Sequence, residues 1–476
     1  MMNKLSIDSI KILDYLSNFK RPSIKINIVL KNIYKNTVKK YKTISSSSTI
    51  LNMLCIRKNI KPQNDCIIVR LIKHLYPHPQ FRKYLTRTMN TVELQNFEYF
   101  VSIIGSLSPK QCELWINKNG KTLMSNFNYI ISFKKIPLSL DGVNLDAVNL
   151  DGDIMDIYNP FCSLDIQHEI ESKHSKICSY RSDINNFRTA LEFHSTKTPS
   201  KKMIVGISNN VLLMLLLSNS TSSAQLKLYL TSKKKMLPTD KTEHFLGPRE
   251  INTGSTLLGM NSKITIWRKE EINKLVLHEM FHLLGMDNGL RHIKNINLHV
   301  FNISQTENIL LQEAYTETFA NIINCITVSS HLGDSLSVFK KLLNYERLFS
   351  CFQIAKLLHF YGYERYEDFF NLSGVFHTEA KWTQSTSVFS YFVIKGAFLY
   401  SVNSFIEFCA TYNKKNIFHF ESSKESHLAF NKLILSCCDS PMFKKQVNFF
   451  IEHLRKHANR RNLIYKTLRM TAVELS

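Results

Sequence analysis

The segment Leu275–Gly285 reads LVLHEMFHLLG and carries the pattern His-Glu-x-x-His at His278, Glu279 and His282. Its apolar residues recur at helical spacing, which predicts an amphipathic helix that ends at the glycine. The acidic stretch Lys269-Glu270-Glu271 suits the N-terminal end of that helix. Histidines four residues apart share one helix face, so the two imidazoles can bind one Zn²⁺ while the glutamate faces water on the metal.

A third protein ligand is expected further along the chain, because a catalytic zinc uses three protein ligands and keeps one position open. Ser304–Glu307 has the pattern of a capping box and predicts a second helix that runs to about Ile326. Glu313 and Glu317 would share one face of this helix. One of them can bind the metal while the other accepts the far N–H of a ligand histidine.

The element Gln312–Glu317, QEAYTE, resembles the Asn-Glu-x-x-Ser-Asp element that follows HExxH in gluzincins of the thermolysin type. The resemblance implies that Glu313 is the third zinc ligand and that Glu317 orients a ligand histidine. Two residues depart from the pattern, since Gln312 replaces Asn and Glu317 replaces Asp. The connection from His282 is also longer than in thermolysin. These differences affect the assignment of Glu317 more than that of Glu313.

A wider stretch, about residues 225 to 400, is similar to uncharacterised metallopeptidases encoded by large DNA viruses. The matching features are the turn residues Leu246-Gly247-Pro248 and Asn252-Thr253-Gly254, a strand that leads into Arg268–Glu271, and then HExxH. This resemblance implies an α+β, zincin-like catalytic domain with a small mixed sheet and an active-site helix. It also implies a zinc metallopeptidase that cleaves a protein or peptide substrate.

A rival metal site would follow the metzincin pattern HExxHxxGxxH. The sequence matches that pattern as far as Gly285 but places Asn288 at the final ligand position. Asn is a poor zinc ligand beside an imidazole or a carboxylate. Asp287 is one residue away and could bind only if the turn were distorted, so it remains the alternative to Glu313.

For hydrolysis, Glu279 is the predicted general base that takes a proton from water and passes it to the leaving amine. The oxyanion needs a further donor. Tyr391 is the first candidate, and its surroundings resemble the Tyr-x-x-Gly-like element of aminopeptidase gluzincins. His377 and Tyr363 are the alternatives.

Two segments, Gln225–Thr231 and Lys263–Arg268, alternate apolar and polar residues and predict strands. We expect the second to be an edge strand whose residues, including Ile264 and Ile266, pair with an extended substrate. The polar stretch His168–Arg188 predicts a solvent-facing helix.

The length of 476 residues predicts more than one domain. We expect a basic, mainly helical N-terminal domain over residues 1–138 and an acidic loop or linker over 139–160. The zincin-like catalytic subdomain would span 161–330. A helical C-terminal subdomain over 331–476 would complete the active-site cleft.

The formal net charge is +23, and the basic residues are concentrated towards both ends of the chain. Such ends suit a polyanion such as nucleic acid, although high lysine content also simply keeps a protein soluble. Ten cysteines without a CxxC pair favour a reducing compartment. The most apolar run, Val211–Leu217, is too short to cross a bilayer. We therefore expect a soluble intracellular protein, in the host cytoplasm or nucleus, or packaged in a virion.

One alternative is a non-catalytic virion structural protein, or a nucleic-acid-associated protein, that retains a zincin fold. Glu279 favours catalysis, because a purely structural zinc site needs no general base and usually has four protein ligands.

Overall fold

The computed structural model describes the greater part of the chain, from the N-terminal helices to the C-terminal segment. The described residues are 4–19, 24–46, 54–59, 161–174, 176–184, 187–220, 223–238, 245–258, 262–291, 293, 298–303, 309–333, 335–377, 379–457 and 462–475.

Within these residues two short strands, Phe245–Leu246 and Thr383–Gln384, pair with each other in parallel. Six longer strands form a mixed sheet in the order β1-β2-β3-β4-β6-β5. The strands are β1 Leu54–Asn59, β2 Lys176–Ile184, β3 Phe187–Ser195, β4 Ala224–Thr231, β5 Gly254–Leu257 and β6 Lys263–Arg268. The three central strands β3, β4 and β6 are parallel, whereas β1, β2 and β5 each run antiparallel to a neighbour. The side chains of β4 and β6 are almost all buried, as expected for parallel strands covered on both faces.

Helices supply most of the remaining structure. The longer ones are α1 Ile7–Ser17, α2 Ile28–Ser46, α3 Leu164–Lys173, α4 Lys201–Ser218, α5 Ile272–Leu283, α6 Leu311–Leu332, α7 Leu336–Phe360, α8 Lys395–Tyr400, α9 Val402–Tyr412, α10 Lys424–Asp439 and α11 Pro441–Lys456. The π-helical turn Phe389–Ile394 runs directly into α8. The helix α5 packs between the sheet, α4 and α6, and α6 in turn packs on α7. The predicted α+β class with a small mixed sheet is therefore confirmed.

The two strand predictions Gln225–Thr231 and Lys263–Arg268 are confirmed as β4 and β6. The helix predicted over His168–Arg188 is wrong beyond Lys173, where the chain enters β2 and then β3. In these strands the sequence does not alternate cleanly, so its polarity resembled that of an exposed helix.

The prediction that Ile264 and Ile266 belong to an edge strand is also wrong. Their strand, β6, lies between β4 and β5, and both isoleucine side chains are fully buried. At this end of the sheet the edge strand is β5, whose residues are partly exposed. A short segment that reads as turn residues thus takes the edge position.

The N-terminal helices do not form the separate domain expected for residues 1–138. The helix α1 packs on α7, α2 packs on α4, α6 and α9, and β1 extends the common sheet. Leu16 and Leu30 lie in the same core as the sheet and the later helices, which explains this arrangement. The rest of that region, and the predicted acidic linker at 139–160, lie outside the described residues.

The described part of residues 331–476 is mainly helical, and the proposed domain boundary at 330 falls inside α6. The chain ends in a buried extended segment. Glu271, at the start of α5, accepts hydrogen bonds from the backbone N–H groups of Met470 (2.8 Å) and Thr471 (2.6 Å) and pairs with Lys235. Glu271 lies at the N-terminal end of α5, as predicted for the acidic stretch, but its side chain anchors the C-terminal segment and makes no cap hydrogen bond to its own helix.

In the part of the chain that the structure describes, α4 is long and apolar enough to be tested as a membrane span. Most of this helix is buried inside the protein, as a core helix would be. The consecutive helical segments Phe389–Tyr400 and Val402–Tyr412 pass the same test only as a pair bent by 93°. Neither case is strong evidence for a membrane span.

Candidate metal centre

The helix α5 carries the HExxH residues and ends as the sequence predicted. Gly285 adopts φ +64°, a left-handed conformation that suits glycine beyond a helix end. The N–H of Met286 bonds to the carbonyl of Phe281 at 3.0 Å, and that of Gly285 bonds to the carbonyl of His282 at 3.0 Å. This Schellman arrangement reverses the direction of the chain after α5. Asp287, which follows Met286, therefore lies beside that helix.

The helix α6 brings the carboxylate to this site, but it starts later than predicted. It begins at Leu311, after the non-helical residues Ile309 and Leu310, and the capping-box stretch 304–307 lies outside the described residues. Glu313 therefore lies in the first turn, where a negative charge is favoured by the helix dipole. The helix also extends to Leu332, past the predicted end.

Three ligand atoms from these two helices converge on one point. The Nε2 atoms of His278 and His282 are 3.1 Å apart, and each lies 3.2 Å from Oε2 of Glu313. A tetrahedral zinc with bonds of about 2.0–2.1 Å would separate its ligand atoms by about 3.3 Å. The donor set and its spacing therefore fit a metal ion, and this His-His-Glu group can hold one.

Each histidine is held by a carboxylate on its far side. Nδ1 of His278 lies 2.9 Å from Oε2 of Glu317, and Nδ1 of His282 lies 2.7 Å from Oδ2 of Asp287. When Nδ1 donates its proton to a carboxylate, Nε2 keeps its lone pair for a metal. Asp287, the alternative metal ligand suggested by the sequence, thus contacts Nδ1 of His282, whereas Glu313 lies next to Nε2. Asp287 therefore does not take the ligand position that Glu313 occupies.

The charges around the histidines reinforce one another. Burial alone would lower the pKa of His282, but the carboxylates of Glu313 and Asp287 outweigh it and raise this pKa well above its ordinary value. Burial also acts against a charged His278, and hydrogen bonds to Glu313 and Glu317 raise its pKa nonetheless. Burial would raise the pKa of Glu313, yet the two histidines hold it well below its usual range. The two histidines and the carboxylates around them therefore stabilise one another's charged forms.

Glu279 is buried next to the ligands and beneath the edge strand β5. Thr256 Oγ1 lies 2.7 Å from Oε2 of Glu279 and donates a hydrogen bond to this oxygen. A Cβ atom at Gly254 would lie 3.1 Å from the other oxygen of Glu279 and 3.0 Å from the carbonyl of Thr265, so β5 needs glycine at this point. Burial raises the pKa of Glu279 although His278 and His282 oppose the rise.

Of the three candidates for an oxyanion donor, Tyr391 lies beside the site. Its ring centroid is 5.9 Å from that of His278, and burial and the nearby carboxylates of Glu313 and Glu279 raise the pKa of its hydroxyl. The hydroxyl of Tyr363 instead donates to the carbonyl of Asn302 and accepts from the N–H of Lys381. His377 is exposed on a loop.

Sequence reasoning missed three contributors to this site. Gly254 was interpreted as a turn residue and Thr256 was not singled out, although their strand covers Glu279. Asp287 was weighed only as a ligand. Its position two residues after the glycine that ends the helix was the available signal for a carboxylate folded back towards His282.

Comparison with known proteins gives one distant viral relative. The chain is 27% identical over 214 residues to the uncharacterized protein R210 of Acanthamoeba polyphaga mimivirus, a match covering 41% of this chain. The aligned part spans 50% of that viral protein's length. No protein-family model matches the sequence, and no solved structure matches the fold.

Proposed function

We propose that the protein is a zinc-dependent peptidase of the HExxH-plus-glutamate type, with a zincin-like arrangement of sheet and active-site helix. His278, His282 and Glu313 would hold the metal, and Glu279 would act as the general base. The observation that carries the proposal is the convergence of three ligand atoms at 3.1–3.2 Å, with a buried carboxylate one residue after the first ligand.

Zinc held by such a set supplies Lewis-acid chemistry, since it acidifies water and polarises a carbonyl oxygen. Glu279 would take the proton from the attacking water and pass it to the leaving amine. Three protein ligands and a neighbouring base support a catalytic site more than a structural one, which normally has four protein ligands. The side chains of His282 and Glu313 retain 12% and 13% of their exposure, so a substrate can approach from that side.

Tyr391 would stabilise the oxyanion. Its ring lies beside His278 and its hydroxyl is close enough to Glu313 to feel that carboxylate, so this donor could reach a substrate oxygen next to the ligands. Burial raises the pKa of Tyr391 well above its ordinary value, so the hydroxyl keeps the proton that this role requires.

The substrate would be a polypeptide in an extended conformation. Among the described residues no strand pairs with the outer edge of β5, the strand that crosses Glu279. A peptide that adds to this edge would carry its backbone past the ligands. Leu257 and Leu258, at the end of β5, are 57% and 38% exposed and would favour apolar substrate residues there.

The cellular setting follows from composition and from the viral relative. The cysteines of the described part are buried thiols and none is in a disulfide, as a reducing compartment requires. We place the activity in the host cytoplasm or nucleus, or within a virion. A polyanion bound through the basic ends of the chain is a further proposed partner.

The test is hydrolysis of a peptide library by the purified full-length protein, read by mass spectrometry. We expect cleavage by the zinc-loaded protein, loss of cleavage after chelation, and recovery when zinc is restored. Glu279→Gln should retain zinc and lose activity by at least about a thousandfold, because glutamine cannot take the proton from water. Full activity of that variant, or cleavage that persists without metal, would overturn the proposal.

A further inference from the structure

Lys274 is a buried cation that the proposed chemistry does not use. It lies on α5 one turn before His278 and is 2% exposed. Its ammonium group is 2.6 Å from Oε1 of Glu317 on the neighbouring helix α6. Burying an ammonium group costs free energy unless a partner compensates for its charge, so the burial of Lys274 requires an explanation.

The partner of Lys274 is the carboxylate that holds a proposed metal ligand. Oε1 of Glu317 contacts Lys274, while Oε2 lies 2.9 Å from Nδ1 of His278. Asn321 Nδ2 also reaches Oε1, at 3.2 Å. The lysine and the asparagine together fix the rotation of the carboxylate and leave the second oxygen facing the histidine.

The positive charge of Lys274 matters as well as its hydrogen bond to Glu317, because two carboxylates lie on the neighbouring helix. Glu313 and Glu317 are four residues apart on α6, so two negative side chains share one face, with Glu317 buried and Glu313 partly buried. The ammonium group of Lys274, 2.6 Å from Glu317, compensates for the second negative charge. An ionised Glu317 is the stronger acceptor for the proton on Nδ1 of His278.

We propose that Lys274 is a positioning residue for the metal centre, acting through Glu317 to hold the ring of His278 with its Nε2 towards the metal. The inference rests on the proposed function only in that His278 binds a metal. The helical turn that carries Lys274, just before His278, would thus contribute to the metal affinity of the site.

A purely structural role makes a different prediction. Lys274 and Glu317 join α5 to α6, and an ion pair that only joins helices would affect stability without affecting the metal. The ion pair Lys235–Glu271 is a matched control. It is buried to the same extent as Lys274–Glu317, and its Glu271 lies at the start of the same helix, α5. That pair contacts the C-terminal segment and neither ligand histidine in the structure.

The experiment compares Lys274→Met and Lys235→Met in the full-length protein. Zinc affinity is measured by competition with a chromophoric chelator, and Co²⁺ is used as a visible-absorption probe of the coordination geometry. We expect Lys274→Met to weaken zinc binding by about 10- to 100-fold and to change the Co²⁺ spectrum. Lys235→Met should lower the melting temperature while its zinc affinity and Co²⁺ spectrum stay those of the unaltered protein.

A second pair of variants covers the case in which Lys274→Met does not fold. Glu317→Gln removes the negative charge, and the double variant Lys274→Met/Glu317→Gln removes both charges of the pair. If Lys274 acts through Glu317, the double variant should bind zinc about as weakly as Glu317→Gln alone. Zinc binding by the double variant that is about tenfold or more weaker than that of Glu317→Gln would overturn the proposal.

The remaining outcomes separate this inference from the proposed function. Zinc affinity within about twofold of the unaltered protein in Lys274→Met, or an equal loss in both lysine variants, overturns the role of Lys274 alone. An unaltered protein that binds neither zinc nor Co²⁺ overturns this inference and the proposed function together.

Discussion

Asp287 Oδ2 lies 2.7 Å from Nδ1 of His282, although the chain leaves the helix and reverses direction between the two residues. Glu317, on a different helix, places its Oε2 2.9 Å from Nδ1 of His278. Each histidine of the HExxH pair thus has its own carboxylate, one local in sequence and one distant. The orientation of both rings is fixed by these contacts before any metal is considered.

Removal of the carboxylate of Asp287 tests the local contact. Asp287→Ala leaves the buried N–H of His282 without its acceptor, so we expect zinc affinity to fall by about 10- to 100-fold. Asp287→Asn keeps an acceptor oxygen and should lose less. Asp439→Ala, which removes a carboxylate paired with Lys444 on another helix, is the control and should bind zinc normally. Tight zinc binding by Asp287→Ala would show that this contact is dispensable.

Thr256 is expected to position the general base. Thr256→Val removes the hydroxyl that donates to Glu279 while keeping a similar shape, and we expect kcat to fall by about 10- to 100-fold, the value of a hydrogen bond to a charged group. Thr256→Ser keeps the hydroxyl and should recover most of the rate. KM and zinc content should change little in either variant. Equal rates for the valine and serine variants would contradict the assignment.

Zinc binding should release protons at neutral pH. The pKa of His282 is raised well above its ordinary value and that of His278 is raised too, so the metal-free protein holds protons on these rings more strongly than free histidine does. Zinc binds the neutral imidazole, and we expect about one to two protons to leave as it binds. Affinity should therefore fall as the pH falls. Calorimetry in buffers of different ionisation enthalpy measures the release, and a binding enthalpy independent of the buffer would contradict it.

The sequence was sufficient where short-range patterns determine structure. The HExxH helix, its glycine end and the strands β4 and β6 follow from apolar periodicity and turn chemistry, and all were predicted. The start of α6 was misplaced, because the capping-box signature lies upstream of residues that the fold leaves non-helical. Helix geometry made Glu313 and Glu317 the candidates because they share a face, and the resemblance to gluzincins assigned the ligand position to Glu313.

What could not be predicted depends on tertiary packing. Lys274 resembles any surface lysine in sequence, since its burial depends on Glu317, 43 residues away. The strand β5 has four residues and no clear alternation, so its edge position next to Glu279 was not evident. The N-terminal helices were assigned to their own domain because no local pattern reveals that α1 and α2 complete the core of the later chain.

The measurement that tests the central claim most directly is X-ray diffraction at the zinc absorption edge from crystals of the zinc-loaded protein. We predict one strong anomalous peak about 2.0–2.1 Å from Nε2 of His278, Nε2 of His282 and one carboxylate oxygen of Glu313. The peak should disappear in crystals of Glu313→Ala. A zinc peak elsewhere, or a peak at this site with Asp287 in place of Glu313 as the ligand, would contradict the account.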